Sequence, residues 1–160
     1  MSKILVVSDT HGHYSNVVGL VTNLMNIDYI IHLGDYAEDA EYIQDLTGIR
    51  TIGILGNNDF SYIGRLPEQR VIVESGIRIL AVHGHREAVG YDLSRLNRLA
   101  ANESADIALF GHTHAYEDVT KDGIRFLNPG SPSLPRGRER VKSVALITID
   151  KGYKIEKIAL

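Results

Sequence analysis

Five apolar runs in this chain stop abruptly, at a glycine or a short turn, and each hands over to Asp, Asn or His. Lys3 to Ser8 leads into Asp9-Thr10-His11, Asp28 to Leu33 into Gly34-Asp35, and Thr51 to Leu55 into Gly56-Asn57-Asn58-Asp59. Ile77 to Val82 runs into His83-Gly84-His85, and Ile107 to Phe110 into Gly111-His112-Thr113-His114. Runs that are apolar without alternation suit strands covered on both faces. Between the first three, Val17, Leu20/Val21 and Leu24, then Ala40, Ile43 and Leu46, recur at helical spacing. Ser15 or Asn16 stands where it could cap the first of these helices. The order βαβαβ predicts a parallel sheet with right-handed crossovers. The carboxyl ends of parallel strands line one crevice, so Asp9, Asp35 and Asn57 can meet there.

Past Gly64 and Pro67 the character changes. Arg70 to Glu74 and Ile77 to Val82 flank Ser75-Gly76, a hairpin signal. Asp92 to Glu103 places Leu93, Leu96 and Leu99/Ala100 on one helical face. The rest is strand-rich, interrupted by a loop, Asn128 to Gly137, that holds three of the four prolines. With neither repeat nor linker, the expectation is one α/β domain over residues 1–160, containing two sheets.

In an extended segment His112 and His114 face the same side, so two ring nitrogens point at one spot. Each motif alone has a bland reading: Gly34-Asp35 and Gly56-Asn57-Asn58-Asp59 make ordinary turns, and His83 could be structural. Together they offer the carboxylates of Asp9 and Asp35, the imidazoles of His11, His83, His112 and His114, and the Asn57 amide oxygen. The chain has no cysteine, which removes thiolate sites, cysteine nucleophiles and disulfides. Such a nitrogen and oxygen set suits one or two borderline divalent ions, Mn²⁺, Fe²⁺, Zn²⁺, Co²⁺ or Ni²⁺, rather than Cu(I) or a calcium cage. A net charge of -3 gives no global basic field to recruit nucleic acid or an anionic membrane. No apolar run reaches a membrane span, and no cleavage site follows the short run after Met1-Ser2-Lys3, so a cytoplasmic location is expected.

Asp9-x-His11, Gly34-Asp35, Gly56-Asn57-x-Asp59, His83-Gly84 and Gly111-His112-x-His114, in this order, resemble the calcineurin-like metallophosphoesterase superfamily. The short length and the Asn128-Pro129-Gly130-Ser131 loop resemble its small prokaryotic branch, the YfcE-type phosphodiesterases. The resemblance implies a four-layer α/β/β/α sandwich with two mixed sheets and two divalent ions per chain, Mn²⁺ being the first expectation. It places one ion on Asp9, His11, Asp35 and His114, and the other on Asp35, Asn57, His83 and His112, with Asp35 bridging. The implied activity is hydrolysis of a small phosphodiester by a hydroxide held between ions about 3.5–4 Å apart. Two divalent ions, two carboxylates and a hydroxide sum to about +1, which draws an anionic phosphate to an acidic protein.

The catalytic candidates are Asp35, Asn57, Asn58, Asp59 and His85, and the substrate contacts Asn58, His85 and Arg136. Many members of the superfamily have histidine where this chain has Asn58, and an amide cannot supply a proton at neutral pH. Good leaving groups are therefore expected to be favoured, and monoesters to be poor substrates. His13 and His85 stand close enough in sequence to substitute for that acid, though a supporting or surface role suits both. Arg136 begins the only basic cluster, with Arg138, Arg140 and Lys142, next to the Asn128–Ser131 loop.

The competing reading is a catalytically weak or inactive scaffold for protein–protein interaction, as the same fold serves in the retromer complex. All seven candidate ligands are present here, and a buried polar cluster without metal is costly to hold together. A nuclease acting on a nucleic-acid polymer is disfavoured by the missing basic surface. The segments expected over the site are Phe60 to Leu66 and Asn128 to Gly137, and Phe60-Ser61-Tyr62-Ile63 is a candidate homodimer contact.

Overall fold

The computed structural model describes residues 1–160. In chain order the elements are β1 (Ser2–Val7), α1 (Ser15–Asn23), β2 (Tyr29–His32), α2 (Glu38–Thr47), β3 (Thr51–Gly53) and a single 3₁₀ turn at Phe60–Tyr62. There follow β4 (Gln69–Glu74), β5 (Ile77–Val82), α3 (Ser94–Asn102), β6 (Ile107–Leu109), β7 (Tyr116–Lys121), β8 (Ile124–Pro129), β9 (Ser143–Ile149) and β10 (Tyr153–Ala159). One sheet runs β10-β9-β1-β2-β3 and the other β4-β5-β6-β8-β7. Both are mixed: β1, β2 and β3 are parallel while β9 and β10 pair antiparallel. In the second sheet β5, β6 and β8 are parallel, with β4 and β7 antiparallel at its edges.

The layering explains why the central strands lack alternation. Ile4 and Val6 of β1 meet Ile79, Ala81, Ile107 and Leu109 of the other sheet in one buried cluster. Their neighbours Leu5 and Val7 turn the opposite way, against Val17 and Val21 of α1 and Ile43 of α2. Leu80, Ala108 and Phe110 likewise pack outward against Leu96 and Ala100 of α3. Every second residue faces the other sheet and the rest face a helix, so both sets must be apolar. The four-layer α/β/β/α arrangement expected from the motifs is the one observed, and the structure supports it through these three clusters. No helix is long and apolar enough to cross a membrane.

Two local expectations are corrected. Ser15 and Asn16 lie inside α1, whose cap position is Tyr14 with no side-chain hydrogen bond. Asn16 instead donates to the carbonyl of Pro132 at 2.6 Å, tying the helix start to a distant loop. The third strand leaves its ladder at Gly53, so Ile54 and Leu55 continue as a buried connection to the motif that follows.

Candidate metal centre

The chain turns sharply where each run ends. Asp9, His11, Asp35, His112 and His114 all have positive φ, between 49° and 69°. Each such residue costs about 1–2 kcal/mol relative to ordinary backbone, and clusters of them mark places where function fixes the conformation. The strand ends of both sheets supply the side chains, so the cluster lies at the seam between them.

Asp9 is fully buried, and its Oδ2 accepts the Ser8 hydroxyl at 2.6 Å and the His112 N–H at 3.0 Å. Its Oδ1 has no hydrogen-bond partner. That oxygen lies 3.3 Å from His114 Nε2, 3.8 Å from His83 Nε2 and 3.9 Å from His11 Nε2. Asp35 accepts the Asn58 backbone N–H on Oδ1 at 3.0 Å and the Asn58 side-chain amide on Oδ2 at 2.8 Å. Its two oxygens also lie 3.5 Å from His83 Nε2 and 3.6 Å from His11 Nε2. Asn57 Oδ1 sits 2.9 Å from His83 Nε2 and 3.1 Å from His112 Nδ1.

The tautomers follow from the backbone. His83 Nδ1 is 2.7 Å from the Leu33 carbonyl and His114 Nδ1 is 2.8 Å from that of Leu134. A carbonyl only accepts, so both Nδ1 atoms carry hydrogen and both neutral Nε2 atoms present lone pairs. His83 Nε2 thus points its lone pair at carboxylate and amide oxygens, and His114 Nε2 meets His11 Nε2 at 3.2 Å. Buried acceptors facing acceptors are unfavourable unless a cation sits among them. The residues fit a divalent ion on this ground. One ligand atom from each of Asp9, His11, Asp35 and His114 falls within 4.8 Å of all the others. Asp35, Asn57, His83 and His112 form a second convergent group through the contacts above.

Burial pushes the Asp9 carboxyl up, but contact with His114, the charge of His83 and the Ser8 hydroxyl together pull it down to about 2. Burial holds His11 and His112 below the usual imidazole range, which keeps their lone pairs free. Burial also lowers His114, yet the neighbouring Asp9 carboxylate outweighs it and the ring is raised.

Asp59, a catalytic candidate in the sequence, is engaged by the backbone around it. It is buried, and its carboxylate accepts the backbone N–H groups of Asp35 at 3.0 Å, Gly56 at 2.8 Å and Ala37 at 2.8 Å. These three contacts position the Asp35 turn. His85 lies beside the second group, its ring 5.4 Å from that of His83 and 6.2 Å from that of His112, with a buried Nδ1 that lacks a partner. His13 is exposed and borders a separate recess with Ser15, Asn16 and Lys142, so it does not replace an acid at the cluster. Arg136 donates its backbone N–H to the His114 carbonyl at 2.9 Å, and its charge disfavours protonation of His11 and His114.

Several supporting residues escape a sequence reading. His32 is fully buried and accepts the Gly34 N–H on Nδ1 at 3.2 Å, so its Nε2 donates to Thr10 Oγ1 at 2.9 Å. It joins the turn after β1 to the turn after β2. Its only sequence signal is a polar residue within an otherwise apolar strand. Asp39 accepts the Gly12 N–H at 2.8 Å, and Ser131 and Ser133 donate to the carbonyls of Asp9 and Thr10 at 2.8 Å and 2.7 Å. The proline-rich loop therefore braces the first ligand turn from behind.

A mixed α/β/β/α sandwich with a cluster of aspartates and histidines at its strand ends defines a metallohydrolase-like class. Residues 2–152 match the calcineurin-like phosphoesterase superfamily domain, and the chain belongs to that family. A probable metallophosphoesterase of Mycoplasma pneumoniae is 30% identical over 156 residues, covering 95% of this chain and 92% of the relative. A phosphodiesterase of Methanocaldococcus jannaschii is 26% identical over 146 residues, 80% of this chain and 82% of its own. The solved structure of a conserved Streptococcus pneumoniae protein, a predicted phosphoesterase, superposes with a TM-score of 0.84 at 29% identity, covering 99% of this chain and 89% of the other. Zinc-complexed Vps29 of Entamoeba histolytica superposes with a TM-score of 0.74 at 24% identity over 98% of both chains, a likeness of fold alone.

Proposed function

We propose that residues 1–160 form a single metallophosphoesterase domain that hydrolyses small phosphodiesters with two divalent ions, Mn²⁺ first among them. The observation that carries this reading is the buried, partnerless Oδ1 of Asp9 with three imidazole Nε2 atoms within 3.9 Å. The phosphodiesterase name of the Methanocaldococcus relative supports the diester class. When bound, a pair of divalent cations would lower the pKa of water to near neutrality and clamp the phosphoryl oxygens. The chain's own part is positional. Asp9, His11, Asp35 and His114 would hold one ion and Asp35, Asn57, His83 and His112 the other. Asn58 steadies both oxygens of Asp35. His85 and Arg136 flank the two groups as candidate phosphate contacts.

Purified protein is expected to carry close to two metal equivalents, to lose bis(p-nitrophenyl) phosphate hydrolysis on chelation, and to regain it with Mn²⁺. Protein that binds no ion at saturating Mn²⁺ and hydrolyses no diester would instead be the scaffold considered as the alternative.

Asn58 donates its amide to Asp35 Oδ2 and cannot protonate a leaving alcohol. Asn58→His is expected to raise the rate on diesters with alkyl leaving groups by about 10²-fold, the lower range for general-acid assistance, while nitrophenyl esters change little. An unaltered dependence of rate on leaving-group pKa would remove position 58 from the catalytic assignment.

A further inference from the structure

Beside the cluster lies a recess of about 470 Å³ whose walls include Tyr36, Glu38, Phe60 and Tyr62. We infer that this recess is a subsite for the nucleoside portion of the substrate, which makes the proposed enzyme a nucleotide diesterase. The inference rests on the phosphodiesterase reading and adds the substrate class to it.

Position comes first. His11 and Asn58 also line the recess, and both stand against Asp35 Oδ2, at 3.6 Å and 2.8 Å. A phosphate held at the cluster therefore has one ester arm beside this opening. The wall chemistry then restricts that arm. Phe60 is 73% exposed and Tyr36 40% exposed, although each belongs to a turn well anchored by Asp59. Tyr36 follows Asp35 with φ of 68° and lies against the His11 ring, centroids 5.1 Å apart. A bulky residue in left-handed backbone is an outlier that such sites retain for a purpose. Exposed aromatic faces at a recess offer stacking to a flat ring.

Charge narrows the class further. The lining contains no Lys or Arg, so a second phosphate or a carboxylate finds no counter-ion there. Its acids are Glu38 and Asp59, and Asp59 spends its oxygens on backbone amides. Glu38 is the remaining charged acceptor, joined by the Ser61 hydroxyl, which suits the exocyclic amine of adenine, cytosine or guanine. The volume falls within the range that takes a drug-sized organic group and is roomier than a quaternary ammonium needs.

The test compares AMP with ribose 5-phosphate as inhibitors of bis(p-nitrophenyl) phosphate hydrolysis by the Mn²⁺-loaded protein. Both carry the same phosphate, so any difference is read from the base. AMP is expected to inhibit at a concentration at least tenfold lower. Phe60→Ala, and Tyr36→Asn, which tolerates the left-handed backbone, should shrink that ratio to about threefold or less while leaving ribose 5-phosphate unchanged. Equal inhibition by the two compounds overturns the subsite and leaves the phosphodiesterase reading intact. Tighter inhibition by phosphocholine than by AMP also overturns it, assigning the recess to ammonium groups. So does a monomer–dimer shift on Phe60→Ala with an unchanged ratio, which assigns the ring to a contact between copies. If no diester is hydrolysed, calorimetric titration of the same two compounds reads the ratio directly. A tenfold preference then keeps the subsite while the enzyme reading falls.

Discussion

Asp35→Asn is expected to lower diester hydrolysis by about 10³-fold or more and to remove most of the stabilisation that metal gives the protein. The substitution keeps shape and removes the charge shared by the two ligand groups. Asp35 presents one oxygen to each group, Oδ2 at 3.6 Å from His11 Nε2 and Oδ1 at 3.5 Å from His83 Nε2. Loss of several kcal/mol of charge stabilisation corresponds to about three powers of ten in rate. In wild-type protein, metal at about a hundred times its Kd adds about 2.7 kcal/mol, which raises Tm by about 5–11 °C in a chain of this size. The variant should show little of that rise. Without metal its Tm should stay close to that of the wild type, because an anion is removed from among other acceptors even as one amide donor is set against Asn58. A variant that keeps the full metal-dependent rise and acts within tenfold of wild type would exclude Asp35 as the shared ligand.

Gly56→Ala should be among the most damaging single methyl additions in the molecule. A Cβ on Gly56 would overlap the backbone nitrogen and Oδ1 of Asp35 and lie 2.9 Å from Asp59 Oδ2. Neither obstacle is the free end of a flexible chain, so the turn itself must move. Overpacking of this kind costs about 3 kcal/mol, at the upper end of the usual range, and lowers Tm by about 6–12 °C. Metal affinity should fall with it, because Asp35 and Asp59 are displaced together. Gly19→Ala is the control: it lies in α1 with nothing within 4 Å of an added Cβ, and should be neutral or stabilising by about 0.5–1 kcal/mol. Equal Tm values for Gly56→Ala and wild type would show that the close approach to Asp35 is not needed.

Much of the fold was legible because its strands are covered twice. Ile4 and Val6 could not be told from Leu5 and Val7 by polarity, and that uniformity was itself the sign of a layered sheet. The seven candidate ligands were legible because each follows the end of an apolar run, a place where side chains of a parallel sheet gather. Roles that depend on which atoms meet were not legible. Asp59 has the residue type and position of a catalytic acid, and the three backbone amides that meet its carboxylate come from turns that no local pattern joins. His32 is hidden in an apolar strand, and its link from Thr10 to Gly34 crosses between two parallel strands. The aromatic recess joins Tyr36 to Phe60 from different turns, a proximity that no local pattern encodes. Asn16 looked like a cap because capping chemistry and a tie to Pro132 use the same amide.

The cluster draws Asp9, His11, Asp35 and Asn57 from one sheet and His83, His112 and His114 from the other. Cations held there would act as rivets through the open edge of the sandwich, fastening its halves where few apolar side chains remain to do so. Demetallation should then loosen the amides at that rim first, with the opposite end of both sheets still closed, so that the working edge of the molecule is also its weakest when empty.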